Sequence, residues 1–154
     1  MKVLETKVFG CVDVLGDAYV QRETTIGSRT LSRSLYVGDL VDQPALDRAA
    51  ALVDTADTLD ARAREAIRAQ HDGEPNVTDL VHDFIAFHLE ELDLDLSALD
   101  FLARLDLVGI SIHPREPDGF SIVLDYSLGR SVSDQLLAVR FDARGTAVAV
   151  SHES

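Results

Sequence analysis

Asn76-Val-Thr-Asp-Leu-Val-His-Asp-Phe-Ile-Ala-Phe-His-Leu-Glu-Glu-Leu92 reads as an amphipathic helix, and what flanks it decides the fold. Val77, Val81, Phe84, Ile85, His88 and Leu92 recur at helical spacing and share one face. Asp79, Asp83, Glu90 and Glu91 fall largely off that face, where water solvates them. Asn76 or Thr78 can cap the start, and Asp79 suits the positive end of the helix dipole.

Upstream, two more helical stripes precede this one. Asp42 before Pro44 suits a helix start, because proline's missing N–H is no loss in a first turn. Leu46, Ala49, Ala50 and Val53 form the first stripe. A second helix is predicted from Thr58, with Leu59, Ala63, Ala66 and Ile67 inward, ended by Gly73 and Pro75. Downstream, a short fourth helix is predicted from Asp95 to about Arg104, with Leu99, Leu102 and Leu105 inward.

On both sides of these helices the period changes to two. Residues 2 to 9 alternate as a strand does. Tyr19 to Ile26 and Arg29 to Val37 are strand-like runs separated by Gly27-Ser28, a hairpin signal. Leu31, Leu35 and Val37 share one side of the second run; Thr30, Ser32 and Ser34 share the other. After Leu105, Val108, Ile110 and Ile112 align, and Pro114 with Glu116-Pro-Asp-Gly119 breaks the strand. Phe120, Ile122, Leu124 and Tyr126 then alternate with Ser121, Val123, Asp125 and Ser127. Gln135 to Phe141 and Thr146 to His152 are two further strands around an Asp142-to-Gly145 turn. Strands, then helices, then a meander make an α+β domain over residues 1–154. The expectation is an antiparallel sheet of about six or seven strands, with about four helices packed on one face.

Composition narrows the function classes. The 154 residues carry a net charge of -13, and lysine occurs only at Lys2 and Lys7. Such a surface repels phosphates, so nucleic-acid binding is not expected, whereas a basic protein would be steered toward it. No apolar run reaches the roughly 18–20 residues of a membrane span, so no membrane partner is expected. The charged N-terminus does not resemble a secretion signal, and the single Cys11 cannot form an internal disulfide. The expected location is the cytoplasm.

A resemblance follows from several of these segments. Leu107-Val-Gly-Ile-Ser-Ile-His-Pro114, Phe120-Ser-Ile-Val-Leu-Asp-Tyr-Ser-Leu-Gly129, Leu137-Ala-Val-Arg-Phe-Asp142 and His152-Glu-Ser154 resemble a bacterial family, the domain of unknown function two-thousand-four, or a close relative. Ala61-Arg-Ala-Arg-Glu-Ala66 and Phe84-Ile-Ala-Phe-His-Leu-Glu-Glu91 resemble it too. The resemblance implies a small cytoplasmic α+β domain over most of the chain. The family carries no agreed activity, so it transfers no catalytic residue.

The chemistry-bearing residues form no familiar constellation. His82 and His88 are six apart, not at the spacing that puts two imidazoles on one helix face for a metal. With one cysteine and no paired histidines, no metal and no cofactor is expected. His88, inside the apolar stripe, reads as a core histidine bonded to a backbone carbonyl or a carboxylate. Cys11 reads as an inert small apolar residue. No Gly-x-Ser-x-Gly surrounds Ser111, and no glycine-rich phosphate loop occurs.

Asp125 and Tyr126 point to opposite faces of one strand, with Tyr126 toward the core and Arg130 or Arg140 available to pair with Asp125. Glu90, Glu91, Asp93 and Asp95 place four carboxylates in six residues at a helix end, and Asp95 can cap the next helix. These four are the candidate partner-binding residues. The leading expectation is a non-catalytic protein-binding module, an immunity-type protein or regulatory adaptor, with a basic protein as partner. The alternative is a small enzyme whose site gathers Asp125, Arg130, His113 and His152. A homodimer through a sheet edge or helix face is the third reading.

Overall fold

The structure is a computed structural model describing residues 3–6, 10–13, 19–26, 29–36, 43–72, 80–92, 95–115, 119–129 and 132–153. Strands β1 (Val3–Thr6) and β2 (Gly10–Asp13) pair antiparallel as a separate two-stranded sheet. The other six are β3 (Tyr19–Ile26), β4 (Arg29–Tyr36), β5 (Asp106–Arg115), β6 (Gly119–Ser127), β7 (Leu136–Phe141) and β8 (Ala147–Glu153). They form one sheet in the order β3-β4-β5-β6-β7-β8. Between β4 and β5 come α1 (Gln43–Asp54), α2 (Ala56–Asp72), α3 (Leu80–Glu91) and α4 (Ala98–Ala103). The fold is α+β, as the periodicities predict.

The sheet is antiparallel except at one ladder. β4 and β5 run parallel, Ser32 opposite Gly109 and Leu35 opposite Ile112. A parallel pair needs a long crossover, and the helical segment supplies it. Ile26 opposite Arg29 closes β3 on β4 across two residues, the hairpin that Gly27-Ser28 predicts, although that pair itself lies outside the described residues.

The core lies between one sheet face and the helices. α1 lies against β1 and β6, α2 against β7 and β8, and α3 against β8. α1 buries its predicted stripe of Leu46, Ala49, Ala50 and Val53, and α2 and α3 bury most of theirs: Leu59, Ala63 and Ile67 on α2, with Ala66 half-buried, and Val81, Phe84, Ile85 and His88 on α3, with Leu92 half-buried. From the sheet come Leu31, Leu35, Ile110, Ile112 and the alternating Phe120, Ile122, Leu124 and Tyr126, all buried. Burying each of these larger side chains contributes roughly 1.5–3 kcal/mol, before the conformational entropy it must offset.

The structure departs from the sequence reading at several points. Of the strand read over residues 2 to 9, the structure describes Val3–Thr6, and a second short strand, Gly10–Asp13, lies beyond it. Pro114 does not end β5, which continues to Arg115 with Pro114 opposite Phe120. An irregularity between Leu107 and Gly109 removes Val108 from the buried row of Ile110 and Ile112, because an extra residue reverses the alternation. α4 spans only Ala98–Ala103, buries Phe101 and leaves Leu99 exposed. Ser97, not Asp95, caps it, accepting from the Asp100 N–H at 3.1 Å. Cys11, read as an inert small apolar residue, lies exposed on β2. Asn76, Val77, Thr78, Asp79 and Asp42 lie outside the described residues.

The turn from β7 to β8 yields a first prediction. Asp142 Oδ1 accepts from the Arg144 and Thr146 N–H groups, and Gly145 takes φ 79°. The Gly145 carbonyl accepts from Arg62 Nη1 at 2.9 Å, tying this turn to α2. A Cβ at 145 would meet that Nη1 at 2.9 Å and Leu52 Cδ2 at 3.3 Å. Gly145→Ala therefore destabilises the fold by about 1–2 kcal/mol, read as a lower midpoint in urea at unchanged slope.

Candidate functional site

The strands' alternation puts a second set of side chains on the sheet face away from the helices. β4 contributes Ser32, Ser34 and Tyr36 there. β5 contributes Gly109, Ser111 and His113, and β6 contributes Ser121, Val123, Asp125 and Ser127. Cross-strand register aligns Ser32, Gly109, Asp125, Ala138 and Ser151 in one row. Around that row runs a groove of about 460 Å³, lined by Asp125, Ser32, Ser34, Ser111, Ser127 and Ser133 among others.

The hydroxyls of the groove are largely committed to the protein itself. Ser32 Oγ accepts from Gln21 Nε2 at 2.6 Å, and Ser127 Oγ accepts from the Gly129 N–H at 2.9 Å. Ser133 Oγ accepts from the Gln135 N–H at 3.1 Å and bonds His88 Nε2 at 2.9 Å. Ser111 Oγ bonds His113 Nε2 at 2.9 Å, and Tyr36 stacks on the His113 ring with centroids 4.4 Å apart. These bonds hold the lining in fixed positions, which favours binding a guest without reordering the site.

Asp125 is the exception. Among the described residues no cation or hydrogen-bond donor reaches its carboxylate. Burial pushes it up to about 6, and the negative charge of Glu153 adds to the shift. Arg140, a candidate partner from the sequence, stands opposite Val123 on the same face. Among the described residues its buried Nε has no hydrogen-bond partner, and it forms no ion pair with Asp125. Gly109 leaves room for the acid, since a Cβ there would sit 3.4 Å from Asp125 Oδ2. The result is a half-buried acid that lines the groove and is unpaired among the described residues.

The residues singled out from the sequence separate into three places. Asp125 and His113 share the groove face, at different heights along it. His152, opposite Leu137, lies on the helix-side face with its ring 5.1 Å from that of Phe84 and its Nε2 2.6 Å from Gln135 Oε1. It is not brought together with Asp125. Arg130 and Asp93 lie outside the described residues. Glu90, Glu91 and Asp95 are exposed at the end of α3 and before α4, on the helix layer rather than in the groove.

Ser111 and His113 pair like a nucleophile and base, and burial lowers the His113 imidazole from its ordinary value. Among the described residues no carboxylate bonds the other ring nitrogen to orient it, so the activated arrangement of a Ser-His-acid site is incomplete. Among the described residues no three or more His, Cys, Asp or Glu side chains gather to hold a metal, and no helix is long and apolar enough to cross a membrane.

The sequence reading placed Asp125 in a candidate site but gave no such place to the serines around it. Their signal was present in the polar positions of β4 and β6, Ser32 and Ser34 against Ser121 and Ser127. The β4–β5 register that brings them together was not. No family model matches the chain, and neither does any curated protein or solved structure.

Proposed function

We propose that the chain is a non-catalytic protein-binding module whose sheet groove receives a basic side chain of a partner. The observation that supports this reading most directly is Asp125, held half-buried among preset hydroxyls and without a cation among the described residues. A guanidinium or ammonium group entering the groove would supply the missing charge and donors, in a setting where charge-assisted hydrogen bonds are stronger than in open water. The net charge of -13 would speed the encounter. Glu90, Glu91, Asp93 and Asp95 then act as a steering patch, not as the seat of the partner.

Fluorescence anisotropy with a labelled hexa-arginine peptide tests the assignment, with hexa-glutamate as control. Asp125→Asn should weaken binding about tenfold or more, the size expected for losing one charge-assisted bond. The double substitution Glu90→Gln, Glu91→Gln should change it by less than about threefold at 0.15 M salt, where exposed charges are largely screened. If the double variant carried the loss and Asp125→Asn none, the partner would dock at the helix end and the groove assignment would fail.

A further inference from the structure

We propose that a second cavity, between α2 and α4, binds a small amphiphilic anion, namely an aliphatic carboxylate of medium chain length. It lies on the opposite side of β6 from the groove. Asp125 faces the groove, and its neighbour Tyr126 forms part of the cavity floor.

The cavity measures about 260 Å³. Its floor is Ile67, Leu105 and Tyr126, all buried, and Leu99 stands at the mouth 51% exposed. A single exposed leucine is ordinary on a protein surface. The arginines beside it are what indicate a ligand. Arg64 and Arg68, one turn apart on α2, both border the cavity. Arg64 is held rigidly: Nε bonds Asp60 Oδ1 at 3.0 Å, Nη2 donates to the Leu105 carbonyl at 2.9 Å, and the guanidinium lies 5.1 Å from the Tyr126 ring centroid. Tyr126 in turn donates its hydroxyl proton to Asp60 at 2.6 Å.

That network leaves Arg64 Nη1 without a partner among the described residues. Arg68 meets Asp72 only through Nε, at 3.8 Å, so both of its terminal nitrogens are unpaired among them as well. In a chain this acidic, two guanidinium groups with uncommitted N–H donors at the edge of an apolar hollow form a complementary site. Guanidinium matches a carboxylate in shape as well as charge, and the floor suits a hydrocarbon tail. Pockets for larger ligands run from roughly 300 Å³ upward, so this one suits a tail of medium rather than long chain length.

Titration calorimetry at 0.3 M salt, with long-range repulsion screened, tests the proposal using hexanoate, octanoate and octylamine as probes. Octanoate should bind and octylamine should not. Each added methylene should tighten binding about fourfold, so octanoate should exceed hexanoate by roughly sixteenfold. Arg68→Gln and Leu99→Ser, both at exposed positions, should each weaken octanoate about fivefold or more while leaving the unfolding midpoint within a degree or two. Equal binding of octylamine, no dependence on chain length, or no effect of Arg68→Gln would overturn the site. Sedimentation showing a dimer that Leu99→Ser dissolves, with no octanoate binding, would assign the hollow to a second copy and equally refute the carboxylate.

Discussion

Asp125→Asn makes the protein more stable at pH 8, by about 1–2 kcal/mol, and leaves its stability nearly unchanged near pH 3. In the folded protein the Asp125 carboxyl is raised from 3.8 to about 6 by burial and by Glu153. Between those two values the unfolded chain gives up its proton while the folded chain keeps it. This residue's contribution to stability therefore falls as pH rises from about 4 to about 6, and the loss is complete above that range. The full linkage would be about 3 kcal/mol, and partial exposure to water in the groove reduces it. Asparagine has nearly the same shape and no charge to desolvate. Urea titrations of both proteins from pH 3 to pH 8 measure the difference. A gain independent of pH would show that it comes from packing, not from the carboxylate. The same substitution should remove the affinity for a basic group, and a change that stabilises the fold while abolishing binding is characteristic of a residue kept for its function.

His88→Ala acts in the opposite direction and more strongly, with an expected loss of about 3–5 kcal/mol. The imidazole is fully buried, with Nδ1–H donating to the Phe84 carbonyl at 2.8 Å and Nε2 accepting from the Ser133 hydroxyl at 2.9 Å. Its ring centroid lies 4.4 Å from that of Phe84, 5.1 Å from Phe87 and 5.4 Å from Phe101. Truncation leaves a cavity among these rings and breaks the link from α3 to the segment before β7. In a domain whose total stability is about 5–15 kcal/mol, the thermal midpoint should fall by about 10 °C. His88→Phe keeps most of the ring volume and should lose only about 1–2 kcal/mol, which separates packing from hydrogen bonding. Because Ser133 also lines the groove, His88→Ala should weaken hexa-arginine as well. A loss under about 1 kcal/mol would show that the Ser133 link does not restrain the groove.

How far the sequence could be read depended on how local each determinant was. Phe120 to Ser127 alternates cleanly, so the burial of Tyr126 and the outward setting of Asp125 were both legible from it. Gly27-Ser28 between two β-rich runs announced the first hairpin of the main sheet, and His88 in its stripe announced a core histidine bonded to a carbonyl or a carboxylate, of which the structure shows the carbonyl. The Val108 irregularity was not legible, because a bulge depends on the partner strand. Nor was the setting of Leu99 and Phe101, since six helical residues carry too little period to choose a face. The parallel β4–β5 ladder depends on how the helices fold back, and with it the gathering of the serines around Asp125. Asp125 was therefore visible as a residue, but the groove was not visible as a place.

That ladder also divides the molecule in time. β5 to β8 pair as sequence neighbours, and β3 with β4 likewise, so each group can form from local contacts. The seam between them joins Ser32 to Gly109 across the whole helical segment, and long-range closure of this kind is slow. Amide hydrogens of β3 and β4 should then exchange sooner than those of β6 and β7, through a partial opening that leaves the helices docked. The groove straddles that seam, taking Ser32, Ser34 and Tyr36 from one bank and Ser111 and Asp125 from the other. A guest bound there would act as a clamp, slowing exchange in the hairpin first.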